Sequence, residues 1–108
     1  MRYEVICGRD YNKTGGRIHG EDAIEIFKEM TTKLTMKYGG CTVLDGVGMY
    51  QARAGNVMGE RSTVVLVSIG NPTQEDIDFM NDWCVQLRDK MCQETVLMTT
   101  MTDSSQLI

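Results

Sequence analysis

Residues Thr42–Ser68, TVLDGVGMYQARAGNVMGERSTVVLVS, decide the fold of this chain. They read as two apolar strands joined by a turn segment, with Tyr50 and Glu60 at the two mouths of the turn. Asp45, Gly46, Gly48, Gln51, Asn56 and Arg61 add more polar and glycine positions than a purely structural hairpin needs. Gly55 lies midway between Tyr50 and Glu60. A hairpin symmetric about it sets Tyr50 opposite Glu60, Gly48 opposite Ser62 and Leu44 opposite Leu66. Opposed residues share a sheet face with their Cβ atoms about 5 Å apart. A phenol and a carboxylate would then occupy one small area, and a one-residue slip would separate them onto opposite faces.

Thr63, Val65, Val67 and Ile69 alternate with Ser62, Val64, Leu66 and Ser68, so both faces are largely apolar and both are expected to be covered. Upstream, residues 2–8 alternate as a strand with Tyr3, Val5 and Cys7 on one face. Residues 9–19, RDYNKTGGRIH, follow as a polar loop whose Gly15-Gly16 pair marks flexibility. The loop carries Arg9, Lys13 and Arg17. It has no phosphate-binding spacing, so a solvated loop is the better reading than an anion cradle. Residues 21–37 form a helix with Ala23, Phe27, Met30, Leu34 and Tyr38 on one stripe, stopped by Gly39-Gly40.

Downstream, Asn71-Pro72 breaks the strand, and Thr73 with Glu75 and Asp76 reads as an N-cap and acidic first turn. The second helix places Ile77, Met80, Cys84, Leu87 and Met91 on its apolar stripe, with Trp83 at the edge. Residues 93–101, QETVLMTTM, read as a last strand, and TDSSQLI as a tail. The order is β-α-β-β-α-β. It predicts an α+β domain of the ferredoxin-like kind over residues 1–108, a four-stranded antiparallel sheet with two helices on one face. Two helices cover only one face, so the other, carrying Leu44, Val64 and Leu66, is a candidate subunit interface.

Composition narrows the function classes. A hydrophobic share of 42% and a charged share of 24% suit a single soluble domain. The net charge of −4 argues against nucleic acid, whose phosphates demand a basic footprint. No apolar run reaches a membrane span and the N-terminus lacks a signal-peptide core, so the expected compartment is the cytoplasm, without membrane association. Cys7, Cys41, Cys84 and Cys92 form no CxxC pair and His19 stands alone, so no metal site is expected and the cysteines read as small hydrophobes.

Two resemblances attach to these residues. TVLDGVGMY, ERSTVVLV and QETVL resemble a family of small uncharacterised bacterial and phage ferredoxin-like proteins, which implies the fold and little else. More distantly, Gly48-Met49-Tyr50, Glu60-Arg61, Thr63-Val64 and Gln93-Glu94-Thr95-Val96-Leu97 resemble phage-encoded S-adenosylmethionine lyases, long called SAM hydrolases. That likeness implies an active site between the subunits of a trimer. Tyr50 and Glu60 would be its catalytic residues, and Glu94, Gly48 and Arg61 would bind substrate. It also implies no cofactor, S-adenosylmethionine being the substrate, and the bacterial host cytoplasm as the compartment. The N-terminal region of the lyases has no obvious counterpart here.

The chemistry implied needs little machinery. The sulfonium is already a good leaving group, and the substrate's own carboxylate can attack its γ-carbon, giving homoserine lactone and methylthioadenosine. Orientation and electrostatics suffice, and carboxylates with an aromatic face suit a cation. Two other classes stand beside this one. A non-catalytic binder of nucleotides would use Arg9–Arg17 with Arg53, and an interaction module would use no small ligand at all. Under the latter, Tyr50–Glu60 is a cross-strand pair, Gly46 and Gly48 permit close approach of a neighbour, and Glu94 is a solvated charge. Asp45, mid-strand, wants a partner, which Arg61 is placed to supply; His19 reads as exposed.

Overall fold

The computed structural model describes residues 1–51 and 55–102, with Tyr50 described in its backbone alone. Arg53 and the residues beyond 102 lie outside the described part. In chain order the elements are β1 (Arg2–Gly8), α1 (Gly20–Tyr38), β2 (Thr42–Gln51), β3 (Val57–Ser68), α2 (Gln74–Lys90) and β4 (Leu97–Met101). The strands form one antiparallel sheet in the order β2-β3-β1-β4, the ferredoxin-like arrangement expected from the sequence.

Side-chain alternation sorts the strands into two faces. Tyr3, Val5 and Cys7 of β1 and Thr63, Val65 and Val67 of β3 are buried beneath both helices. α1 contributes Ala23, Phe27, Met30 and Leu34, as its spacing predicts, and ends at Gly39, whose φ of 86° is the left-handed conformation that favours glycine. α2 opens with a capping box: the Thr73 hydroxyl accepts the Asp76 N–H, and the Asp76 carboxylate accepts the Thr73 N–H. The Tyr38 hydroxyl donates to the same Asp76 at 2.9 Å, tying the end of α1 to the start of α2.

The buried stripe of α2 differs from the predicted one. It runs through Met80, Trp83, Leu87 and Met91, while Ile77 is 38% exposed and Cys84 half-buried. Trp83 lies at the centre of the stripe. Its indole N–H finds a buried acceptor in the Met30 carbonyl at 2.8 Å, which lets the largest side chain of the helix face α1. Ile77 lies on the first turn of the helix, outside that stripe.

Two strand expectations also change. The β2–β3 pairing is displaced by two residues from the symmetric hairpin: Gly48 opposes Glu60, Tyr50 opposes Met58, Gly46 opposes Ser62, and Leu44 opposes Val64. Gly55, with φ of 91°, sits near the end of the connection 52–56 rather than at its centre. The slip is even, so each residue keeps its face. β4 begins at Leu97 and not at Gln93, because the Cys92 and Gln93 N–H groups fold back onto the Asp89 and Arg88 carbonyls and prolong the helix end.

The helix-free face carries an apolar row across all four strands. Leu44, Val64, Ile6 and Leu97 are successive cross-strand neighbours, and Leu44 and Leu97 are 48% and 60% exposed. Among the described residues, no helix is long and apolar enough to cross a membrane.

Candidate functional site

β1 ends at Gly8, opposite Ser62, whereas β3 and β2 run on past it as a two-stranded arm. Glu60 lies at the root of that arm, beside the chain leaving β1. Its Oε1 accepts the N–H groups of Asp10 at 3.2 Å and Tyr11 at 3.1 Å. The next residue, Arg61, grips the same stretch. Its guanidinium donates through two nitrogens to Asp10 Oδ1 at 2.9 and 2.8 Å, its N–H donates to Asp10 Oδ2 at 2.8 Å, and its carbonyl accepts the Arg9 N–H at 3.1 Å. Hydrogen bonds from Arg61 hold the Asp10 carboxyl below the usual carboxylate range. Arg9 in turn pairs with Asp45 at 3.1 Å. Arg9 is therefore the partner of Asp45 that Arg61 was expected to be. The Asp45 side chain is 85% exposed on the edge strand β2, so its charge stays hydrated.

The third component comes from the α2–β4 connection. Gln93 Nε2 donates to the Tyr11 carbonyl at 2.8 Å and to the Met91 carbonyl at 3.0 Å. Gln93 and Glu60 converge over Gly8, where a Cβ would lie 2.9 Å from Oε1 of each. The missing side chain at position 8 leaves room for this close approach, and no special backbone angle is involved. Between these elements lies an open cleft of about 510 Å³ lined by Tyr11, Asn12, Lys13, Gly15, Met58, Glu60, Gln93, Glu94 and Thr95.

The polar loop after β1 is well tied, contrary to the flexibility its glycines suggested. The Asn12 side chain accepts the N–H groups of Thr14 and Gly16 and the Thr14 hydroxyl, and the Asn12 N–H reaches the Gly16 carbonyl at 2.7 Å. Lys13 donates its N–H to the Cys92 carbonyl at 2.7 Å, and Tyr11 pairs with Arg17 in a short antiparallel bridge. Glycine here lets the loop close on an asparagine side chain.

Of the residues singled out from sequence, Glu60 and Glu94 both line one cleft. Gly48 faces Glu60 across the hairpin, its Cβ position 3.8 Å from the Glu60 carbonyl oxygen. Arg61 does not line the cleft; it is held by Asp10 and fixes the loop that does. Tyr50 pairs with Met58, and its side chain lies outside the described residues. Asp10, Tyr11 and Gln93 are the positions that sequence reasoning passed over. Gln93 stood in the quoted QETVL motif, whereas Asp10 and Tyr11 are set by contacts fifty residues distant that no local pattern signals.

Cys7 lies close enough to feel the Glu60 charge. Burial first, and then that charge, push its thiol up to about 12, and burial pushes Cys84 up to about 11. Both remain protonated at neutral pH and neither is an activated nucleophile. Among the described residues, no three His, Cys, Asp or Glu side chains gather as a metal site.

No protein-family model matches this sequence, and no curated protein does. Solved structures do resemble it. One is a phage SAM lyase in complex with S-methyl-5'-thioadenosine, at 18% identity and a TM-score of 0.62, covering 90% of this chain and 76% of the other. Another is a phage SAM lyase in the apo state, at 16% identity and the same TM-score, covering 90% and 75%. The likeness is one of fold.

Proposed function

We propose that the protein binds an adenosyl sulfonium ligand in the Glu60–Glu94 cleft and acts as an S-adenosylmethionine lyase. The observation that carries this reading is that these two acidic residues, distant in sequence, line one cleft of a size suited to such a ligand. The fold shared with a phage SAM lyase supports it. Fixed negative charge favours a cation, and Arg9 and Arg61, which an anionic nucleotide would recruit, are paired with Asp45 and Asp10.

The chemistry is an intramolecular displacement. The substrate carboxylate oxygen forms a bond to the γ-carbon as the carbon–sulfur bond breaks. The sulfur keeps the electron pair and leaves as the neutral thioether of methylthioadenosine. No proton is transferred and the sulfonium charge is lost as the bond breaks, so the protein's task is to hold the substrate folded with its carboxylate against the γ-carbon. Glu60, immobilised by two backbone N–H groups, is a fixed charge that attracts the cationic substrate and orients it in the cleft. Glu94 lines the same cleft, and Gly48 and Tyr50 lie on the adjoining strand, opposite Glu60 and Met58.

The pocket is proposed to be finished by a second copy of the chain. Glu60 shares its strand parity with Val64 and Leu66, so the cleft adjoins the bare apolar face of the sheet. Covering the row Leu44–Val64–Ile6–Leu97 with another copy would remove an uncommon exposed patch and bring a neighbour over the cleft, and a trimer closes such a contact. Light scattering should return about three times the 12.1 kDa chain mass; a monomer at micromolar concentration rejects the assembly.

The function is tested by incubating the purified protein with S-adenosylmethionine and reading products by mass spectrometry. Homoserine lactone with methylthioadenosine is expected. Binding without products leaves a sequestering protein, and neither binding nor products rejects the reading.

A further inference from the structure

Tyr11 is anchored in a way that its burial does not explain. It is 38% exposed, stands outside the hydrophobic core and lines the cleft. Yet side chains from two different elements hold both its main-chain polar groups. Glu60 of β3 takes its N–H at 3.1 Å, and Gln93 of the α2–β4 connection donates to its carbonyl at 2.8 Å. The residues around it are fixed as well: Asp10 by Arg61, and the Ile18 N–H by the Asp10 carbonyl at 2.7 Å. A loop anchor alone would need any residue with a main chain. The side chain carried there is an aromatic with a polar tip, which tolerates water when the cleft is empty and offers a flat apolar face when it is filled.

We infer that Tyr11 is the stacking platform of the cleft, presenting its ring to the purine of the adenosyl ligand. This rests on the proposed function of the same site. Base-on-aromatic stacking is a general means of holding a purine, because every base has a π-face. A platform whose main chain is already fixed costs little further ordering when ligand arrives. Glu60 then has two tasks, as a charge in the cleft and as the group that sets the platform's position. Gln93 is a positioning residue that acts through Tyr11.

The experiment measures binding of S-methyl-5'-thioadenosine, which carries the purine and no positive charge, to the wild type and to Tyr11→Phe, Tyr11→Ala and Tyr11→Trp. Phe should bind within about threefold of wild type, and Ala at least about tenfold more weakly. The melting temperature should be unchanged, because the groups that tie the loop are main-chain ones. In Tyr11→Trp the new indole should be quenched by saturating ligand against the constant signal of buried Trp83. Wild-type affinity in a folded Tyr11→Ala protein overturns the inference. Should Tyr11→Ala unfold, an indole at position 11 that does not respond to saturating ligand overturns it instead. A wild type that binds no methylthioadenosine overturns both the platform and the adenosyl site. A wild type that binds it with the Tyr11 pattern but converts no S-adenosylmethionine upholds the platform and removes only the lyase activity.

Discussion

Replacing Gly8 with alanine should damage the cleft more than the fold. The added Cβ would stand 2.9 Å from Oε1 of both Glu60 and Gln93, where ordinary contact begins near 3.4 Å. Each oxygen must retreat by about half an ångström. Glu60 has little room to do so, since the same oxygen holds the Asp10 and Tyr11 N–H groups at 3.2 and 3.1 Å. A retreat of that size stretches both bonds beyond useful length. Overpacking of this kind costs about 1–3 kcal/mol, and a lost hydrogen bond to a charged group about 1.5–3. Water reaching the half-buried carboxylate offsets part of the second term. Alanine also restricts the unfolded chain, a gain of about 0.4–1 kcal/mol in the opposite direction. The balance is a loss of about 1–3 kcal/mol, or a melting temperature lower by roughly 4–20 °C in a domain of this size. Thermal melts by circular dichroism and methylthioadenosine binding by calorimetry should fall together, with affinity down at least about tenfold. A Gly8→Ala protein with unchanged melting temperature and binding within twofold would refute the convergence of Glu60 and Gln93 over Gly8.

Glu60→Gln keeps the shape and an acceptor for both N–H groups but removes the charge; it should fold and assemble normally while losing S-adenosylmethionine binding or turnover. If it also loses the oligomer, Glu60 is structural and the site fails. Leu87→Ala, at a fully buried position, should cost about 2–5 kcal/mol in denaturant melts, and Ile77→Ala, at a partly exposed one, under about 1 kcal/mol; comparable losses would reject the observed packing of α2. The Asp10 carboxyl is depressed in the fold, so its contribution is present above its unfolded value near pH 4 and lost as pH falls through the folded one. Asp76, bound to the Thr73 N–H and the Tyr38 hydroxyl, follows the same sign. The stability difference between wild type and Asp10→Asn should therefore be constant above about pH 4 and shrink below it; a gap that widens in acid would show that the Asp10–Arg61 clasp is not what titrates.

What the sequence could and could not convey follows from the range of the forces involved. Helix α1 was readable because its stripe, Ala23 to Leu34, answers to a single requirement, burial against the sheet. Helix α2 answered to a second one. The indole N–H of Trp83 needed an acceptor, and the Met30 carbonyl supplying it lies on another helix, so periodicity alone put Ile77 and Cys84 where Trp83 belongs. The hairpin was legible in its faces but not its register. Alternation fixes parity, and a two-residue slip preserves parity while changing every partner. That is why Glu60 stayed on the face assigned to it yet came to oppose Gly48 rather than Tyr50. The same logic explains the site. Glu60 was visible as a charge at the mouth of the hairpin, and Glu94 only through the likeness of QETVL to the lyases. Tyr11 and Asp10 gave no such signal, because what sets their places is the oxygen and guanidinium that reach them from residues 60 and 61. A polar loop with two glycines can be solvated slack or a fixed wall. The deciding quantity is how many of its N–H and carbonyl groups find partners in the body of the fold. Here Glu60, Arg61, Cys92 and Gln93 supply those partners, and each lies more than forty residues from the loop.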